Sequence, residues 1–273
     1  MPADFVHLHV HSQYSLLDGA VRIKDLVKRV AAGGMPAVAV TDHGNMFGAI
    51  TFYKAAKEAK IRAILGCELD VCARGGLAVH LPVLAASTEG YKNLVRLVSR
   101  GHVAPPAEGR AAGEPMITFD DLASHTKGLI GLTGCMGGLV AQAILEEGEA
   151  RGRQVLATLK EAFDPGNLYV ELQDHGLPEQ PILNGILVRL AGELGLPLVA
   201  TNDVHYPERA DAEAHLYLSC IKTGLSLEEA KDRHHGSSEM YLKSADEMSQ
   251  LFAAYPQALR ATLEIAEKCQ LAL

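Results

Sequence analysis

The sequence predicts an α/β barrel of about seven strands with helices between most of them, followed by a helical extension at the carboxyl end. Three observations point to it. Short apolar runs alternate with stretches whose apolar residues recur at helical spacing. Polar residues of the kind that ligate metals gather where those runs end. Near Glu208 the alternation stops, and only helical patterns remain. With 273 residues, 48% of them hydrophobic, the chain can fill a large core.

Taken in order, "FVHLHV" from Phe5 reads as the first strand and "RIKDLVKRVAAGG" as an amphipathic helix. "AVAVTDHGN", "IRAILGCELDV" and "AVHLPVLAAS" supply the next strands, with "GAITFYKAAKEAK" and "GYKNLVRLVSRGHV" as helices. Residues 103–116, rich in Pro, Gly and Ala, read as a surface loop. "GLIGLTGC", "LYVELQDH" and "LPLVATNDVHY" complete the set. Such repeated βα units predict a parallel sheet, closed into a barrel over 1–210. Residues 211–273 read as a helical extension that packs on the barrel or leads to a further domain, with Ser244 as an N-cap and Glu247 three residues on.

The formal net charge of −8 argues against a phosphate-backbone grip by the overall field, so handling nucleic acid requires metal ions or a partner. Twelve histidines against no tryptophan and 5% aromatics favour ligands over stacking platforms. Five cysteines without a C-x-x-C pair suggest neither a disulfide framework nor a zinc ribbon. No apolar stretch approaches the roughly 20 residues of a membrane span, and Met1 to Ala3 run into the first strand without a cleavable leader. A soluble, cytoplasmic protein is expected.

His7, His9 and His11 alternate along the first strand and are expected on one face. A solvated face explains any one of them equally well. Further ligand types follow later strands: Asp42 and His43, Glu68, Cys135, and Asp203 with His205, while His80 lies inside an apolar run. Burying so many ionisable groups is costly unless they hold cations. A mixed His/Asp/Glu set suits Zn²⁺ or Mn²⁺ better than Mg²⁺, and bridging carboxylates permit two or three ions. Such centres activate water and clamp a phosphoryl group. Asp42 reads as a turn residue or an acceptor behind the ligands. Arg22, Lys24 and Lys92 read as solvated surface.

"HLHVHSQYSLLDG", "VAVTDHGNMFG", "ILGCELDV", "HLPVLAASTEGYKNLVRLVS", "LTGCMGG", "TNDVHY" and "EMYLKSADEM" together resemble the PHP (polymerase and histidinol phosphatase) domain at the amino end of bacterial DNA polymerase III alpha subunits. The resemblance spans nearly the whole chain. It implies a distorted seven-stranded, TIM-like βα barrel with a trinuclear metal centre at its carboxyl rim. It further implies His7 and His9 on one ion with Glu68 bridging and Asp203 closing the site. Glu68, His80 and Cys135 would hold a second ion, and Asp18, His43 and His205 a third, with His11 outside the ligand set. Zn²⁺ or Mn²⁺ is implied, with Mg²⁺ or Fe²⁺ as further candidates.

The resemblance implies a metal-dependent phosphoesterase, acting as a 3′ to 5′ exonuclease on a DNA 3′ end. The partners would be the remainder of the alpha subunit and a separate proofreading subunit. An interaction module that braces the polymerase, and a free-standing small-molecule phosphatase, are the competing readings. The chain has no D-x-D carboxylate pair and no Walker-type loop, so nucleotidyl transfer is not expected from it.

Overall fold

The structure is a computed structural model, described over residues 4–72, 77–103, 115–233 and 237–273. The loop expected over 103–116 lies, but for its ends, outside the described residues. Seven strands form one curled sheet: β1 (Ala37–Val40), β2 (Arg62–Cys72), β3 (Ala78–Ala85), β4 (Met116–Ile117), β5 (Leu129–Leu132), β6 (Leu168–Leu172) and β7 (Leu198–Ala200). Their order is β1-β2-β3-β5-β6-β7, with the short β4 paired to β2.

The sheet is mixed, which corrects the parallel expectation. β3 runs antiparallel to both β2 and β5, while β1/β2, β5/β6 and β6/β7 are parallel. The reason is local. Only residues 73–77 separate β2 from β3, far too few for a crossover helix, so the chain can only turn back on itself.

The first apolar run is extended but too irregular to count as a strand, and it bridges the two free edges of the sheet. Ala39 N–H donates to the His7 carbonyl and Thr41 N–H to that of Val10, on the β1 side. Val204 N–H donates to the His9 carbonyl and His11 N–H to that of Val204, just beyond β7. Between its two β1 contacts this segment advances three residues while β1 advances two. One extra residue inverts the alternation, as a bulge does.

Helices cover the outside. α1 (Ile23–Ala32) buries Ile23, Leu26, Val27 and Val30, the i, i+3, i+4, i+7 stripe of an amphipathic helix, and packs with α2 (Ala49–Glu58) against Val38 and Val40. The alternate β1 residues, Ala37 and Ala39, join Val6, Leu8, Ile64, Leu84, Ile130, Tyr169 and Val199 in one cluster. Strands this far apart in order meet only on the concave side, so this is the barrel interior.

The helices α3 (Thr88–Val103), α4 (Phe119–Ala123), α5 (Leu139–Glu147), α6 (Glu149–Ala162) and α7 (Gln180–Leu194) complete the layer up to β7. Beyond β7 come α8 (Ala212–Thr223), α9 (Leu227–Arg233), α10 (Ala245–Leu251) and α11 (Pro256–Lys268). Ser244 caps α10 as expected: its hydroxyl accepts from Glu247 N–H, and the Glu247 carboxylate accepts from Ser244 N–H at 2.7 Å. α11 enters the interior cluster with Ala261, Ile265 and Ala266, and its Thr262 hydroxyl accepts from Val6 N–H. α11 therefore closes over the barrel interior, while α8 lies against the candidate site through Lys222 and Asp18. Among the described residues no helix is long and apolar enough to cross a membrane.

Candidate metal centre

Strand parity decides which side chains reach the open end of the barrel. Ile64, Leu84 and Tyr169 face the interior. Glu68 and Asp70, His80, and Glu171 lie an even number of residues away on the same strands and share that face. β3 runs backwards, so His80 sits near its start and in register with Asp70. His43 follows β1, Cys135 follows β5, and Asp203 and His205 follow β7. The other strand ends thus converge on one rim, as barrel geometry requires.

All three histidines of the first segment are buried, which removes the solvated-face explanation. They do not share a face. The extra residue after His7 leaves that ring edge-on to Phe5, at a centroid distance of 4.9 Å, with Nε2–H donating to the Lys243 carbonyl. Burial pushes the His7 pKa down to about 4, so the ring is neutral, and its Nδ1 has no partner. His7 belongs to none of the metal-competent groups, whereas His11 belongs to two of them. The structure thus brings His9 and His11 together and leaves His7 outside that cluster.

Tautomers follow from the partners. His9 Nδ1 lies 2.8 Å from Glu171 Oε1, and its proton goes to that carboxylate. Ser15 Oγ donates to Asp42 and so accepts from His11 Nδ1 at 3.0 Å. Both Nε2 lone pairs are left facing each other at 3.3 Å. Asp203 Oδ1 stands 3.3 Å from each, and Glu68 Oε1 3.2 Å from His9 Nε2. Glu68 Oε1 and Asp203 Oδ1 are buried and have no hydrogen-bond partner. Four lone-pair donors converging in a dry site repel one another unless a cation lies among them. The residues fit a metal.

Among the described residues, three groups each bring ligand atoms within 4.8 Å of one another: His9, His11 and Glu68; His11, Asp203 and His205; and His43, Glu68 and His80. Glu68 joins the first and third, and His11 the first and second. Asp18 Oδ2 stands 3.7 Å from His11 Nδ1 and 3.6 Å from His205 Nε2, on the side of the second group. His43, expected with Asp18 and His205, instead lies between Glu68 at 3.0 Å and Asp70 at 2.8 Å. Cys135 Sγ approaches His80 Nδ1 at 3.7 Å beside the third group. Burial, with Asp203 and Glu68 nearby, pushes its thiol pKa well above the usual range, so a proton stays on sulfur unless a cation displaces it.

Protons mark where cations belong. Burial opposes charge on His9, yet Asp203 and Glu171 raise its pKa well above the ordinary imidazole value. His43 is likewise raised to about 11, against burial, by Asp70 and Glu68, and His205 to about 9 by Asp203 and Asp18. Glu68 and Asp203 stay charged against burial because His80, His43 and His9, and His9 and His205, hold them well below the usual carboxylate range.

The surroundings are built to hold this set. Asp42 accepts from Ser12 N–H at 2.6 Å, Ser12 Oγ at 2.9 Å and Ser15 Oγ at 3.1 Å, fixing the turn that carries Ser15. It is the supporting acceptor that the sequence suggested. Asp203 sits at φ 44°, a left-handed conformation that costs energy for a side-chain residue. Its neighbour Asn202 restrains it, donating to the Glu239 and Tyr241 carbonyls at 2.8 Å each and accepting from Lys243 Nζ at 3.1 Å.

A family model for the PHP domain matches residues 7–175. The chain belongs to the PHP domain family. The PHP chain is 41% identical over 97% of its length to the DNA polymerase III alpha subunit of Borreliella burgdorferi, of which it covers 24%. It is 40% identical over 99% to that of Pseudomonas aeruginosa, covering 23%, and 39% identical over 97% to an error-prone DNA polymerase of Symbiobacterium thermophilum, covering 25%. It thus spans about a quarter of these relatives. A metal-dependent phosphoesterase structure from Bifidobacterium adolescentis superposes with TM-score 0.50 and 15% identity, over 74% of the PHP chain and 87% of that protein, a likeness of fold.

Sequence reading missed His11, Asp70 and Glu171. Asp70 was within reach, two residues beyond Glu68 on one strand face. Glu171 carried a fainter signal, a carboxylate within an apolar strand. It also accepts from Gly134 N–H at 2.9 Å, tying the Cys135 turn to His9. Glu171→Gln keeps the shape and puts an amide on the His9 ring. It should weaken metal affinity by roughly 10–100-fold, the usual effect of losing a carboxylate behind a histidine ligand. Titration of the metal-free variant with Mn²⁺ checks this, and unchanged affinity would remove Glu171 from the site.

Proposed function

We propose that the PHP chain is a metal-dependent phosphoesterase that releases the terminal nucleotide from a DNA 3′ end, using up to three ions of Zn²⁺ or Mn²⁺. The observation that carries this reading is the convergence of His9, His11, Glu68 and Asp203 on one dry point, with two carboxylate oxygens left unpartnered. Glu68, with two carboxylate oxygens, is common to two of these groups, so ions held there would lie close enough to act on one phosphodiester.

Bound divalent ions supply Lewis-acid stabilisation of phosphoryl charge and acidify the attacking water. The chain does the rest. Glu171 and Ser15 fix the two imidazoles so that Nε2 points inward. Asp70, hydrogen-bonded to His43 beside the third ligand group, would take and return a proton. Lys222, 2.9 Å from Asp18, presents an ammonium to an incoming phosphodiester. Within a longer polymerase subunit the site would work beside the remaining domains and a proofreading subunit.

The test is elemental analysis of the purified chain, paired with mononucleotide release from a 3′-labelled single strand under Zn²⁺ and Mn²⁺. Close to three ions, and hydrolysis abolished in His9→Ala, are expected. Bound metal without mutant-sensitive hydrolysis would instead make the domain a metal-stabilised brace. A chain without metal would sink the site.

A further inference from the structure

A groove of about 630 Å³ opens from the third ligand group. Its floor includes His43, Asp70 and His80, and its walls carry Leu16, Leu17 and Phe47. These three are not packed into the fold: Phe47 is 63% exposed, Leu16 68% and Leu17 44%. Their backbones are nevertheless held firmly. Asn45, itself buried, donates to the Tyr14 and His43 carbonyls at 2.9 Å each and accepts from Phe47 N–H at 3.0 Å. A Cβ on Gly48 would meet Tyr14 at 2.7 Å and Ile23 at 2.9 Å, so the residue after Phe47 is packed against α1. His102, from α3, hydrogen-bonds the Gly44 carbonyl at 2.9 Å and stands 6.3 Å from the Phe47 ring. Leu17 adopts φ 60°, a strained conformation for a leucine, that leaves its side chain at the groove.

A fold gains nothing from presenting an aromatic ring and two leucines to water on a clamped backbone. A ligand with a flat apolar face does. The volume matches a small-molecule site, and the groove is continuous with the point where the scissile phosphate would lie. Its apolar walls offer stacking and little hydrogen-bond readout, which suits any base.

We infer that this groove seats the terminal nucleoside of the strand, with Phe47 stacking on its base and Leu16 and Leu17 enclosing it. The inference rests on the proposed phosphodiester substrate and narrows it to an unpaired terminal nucleotide. Phe47 is a specificity residue, not a catalytic one. A paired end offers both base faces to the duplex and competes poorly for the ring.

The test is fluorescence anisotropy of a labelled thymidine oligonucleotide with a terminal phosphorothioate linkage, at low salt with Mn²⁺. It is compared with the same strand ending in an abasic residue. In the 273-residue chain the terminal base is expected to tighten binding about tenfold. Phe47→Ala should erase that difference, and Phe47→Trp should restore it. Equal discrimination in the parent chain and Phe47→Ala would overturn the inference, as would two strands that bind the parent chain alike. Neither result touches the hydrolytic reading, which fails separately if the 3′-labelled strand is not cleaved.

Discussion

Glu68→Gln is expected to lower metal-dependent hydrolysis by about 10³-fold and to strip ions from two of the three ligand groups, leaving the barrel folded. Glu68 is the residue through which the first and third groups meet. Its Oε1 faces His9 Nε2 at 3.2 Å, and its Oε2 faces His43 Nδ1 at 3.0 Å. A glutamine has the same shape and keeps the β2 register, but one arm becomes an amide that donates where a lone pair is needed. Losing a carboxylate that merely supports a ligand already costs roughly 10–100-fold in affinity. Losing one that two ions would share should exceed that, because each ion would also screen its neighbour's ligands. Elemental analysis and single-turnover cleavage check both halves, with circular dichroism confirming the fold. A variant with full metal content and undiminished cleavage would show that the two groups do not share Glu68.

The barrel was legible because its signals are additive. Four-residue runs such as Ala37–Val40 are buried on both faces, and the helices between them keep their periodic stripes. Strand ends also pointed to residues that the structure brings together: His43, Cys135, Asp203 and His205 follow strands and meet Glu68 and His80, which lie within them. What failed was register. Period-two reasoning put His7, His9 and His11 together, but one extra residue between the contacts to Ala39 and Thr41 turned His7 toward Lys243 and brought His11 inward. A bulge is fixed by which partner carbonyls are available, and a single sequence does not state its partners. The direction of β3 was overlooked rather than hidden, since the residues between the two apolar runs are too few for a parallel crossover.

Chelation should lower the thermal midpoint of the metal-loaded chain by roughly 10 °C, an effect as informative as loss of turnover. Without cations the centre holds Glu68 Oε1 and Asp203 Oδ1 buried and unpartnered, beside two imidazole lone pairs 3.3 Å apart. Protonation of His9, opposed by burial but favoured by Asp203 and Glu171, relieves this only in part. An ion at about a thousand times its dissociation constant adds about 4 kcal/mol to the folded state, and a domain of this size moves roughly 2–4 °C per kcal/mol. Asp203, at φ 44°, ties the effect to the fold, since an ion on its carboxylate would add to the Asn202 hydrogen bonds that restrain its strained turn. Scanning calorimetry with and without chelator measures the shift. In His9→Ala the two midpoints should draw together, because the first group then loses its defining ligand in both states. Coincident midpoints in the parent chain would mean that the convergent oxygens need no ion, and the metal reading would fall with them.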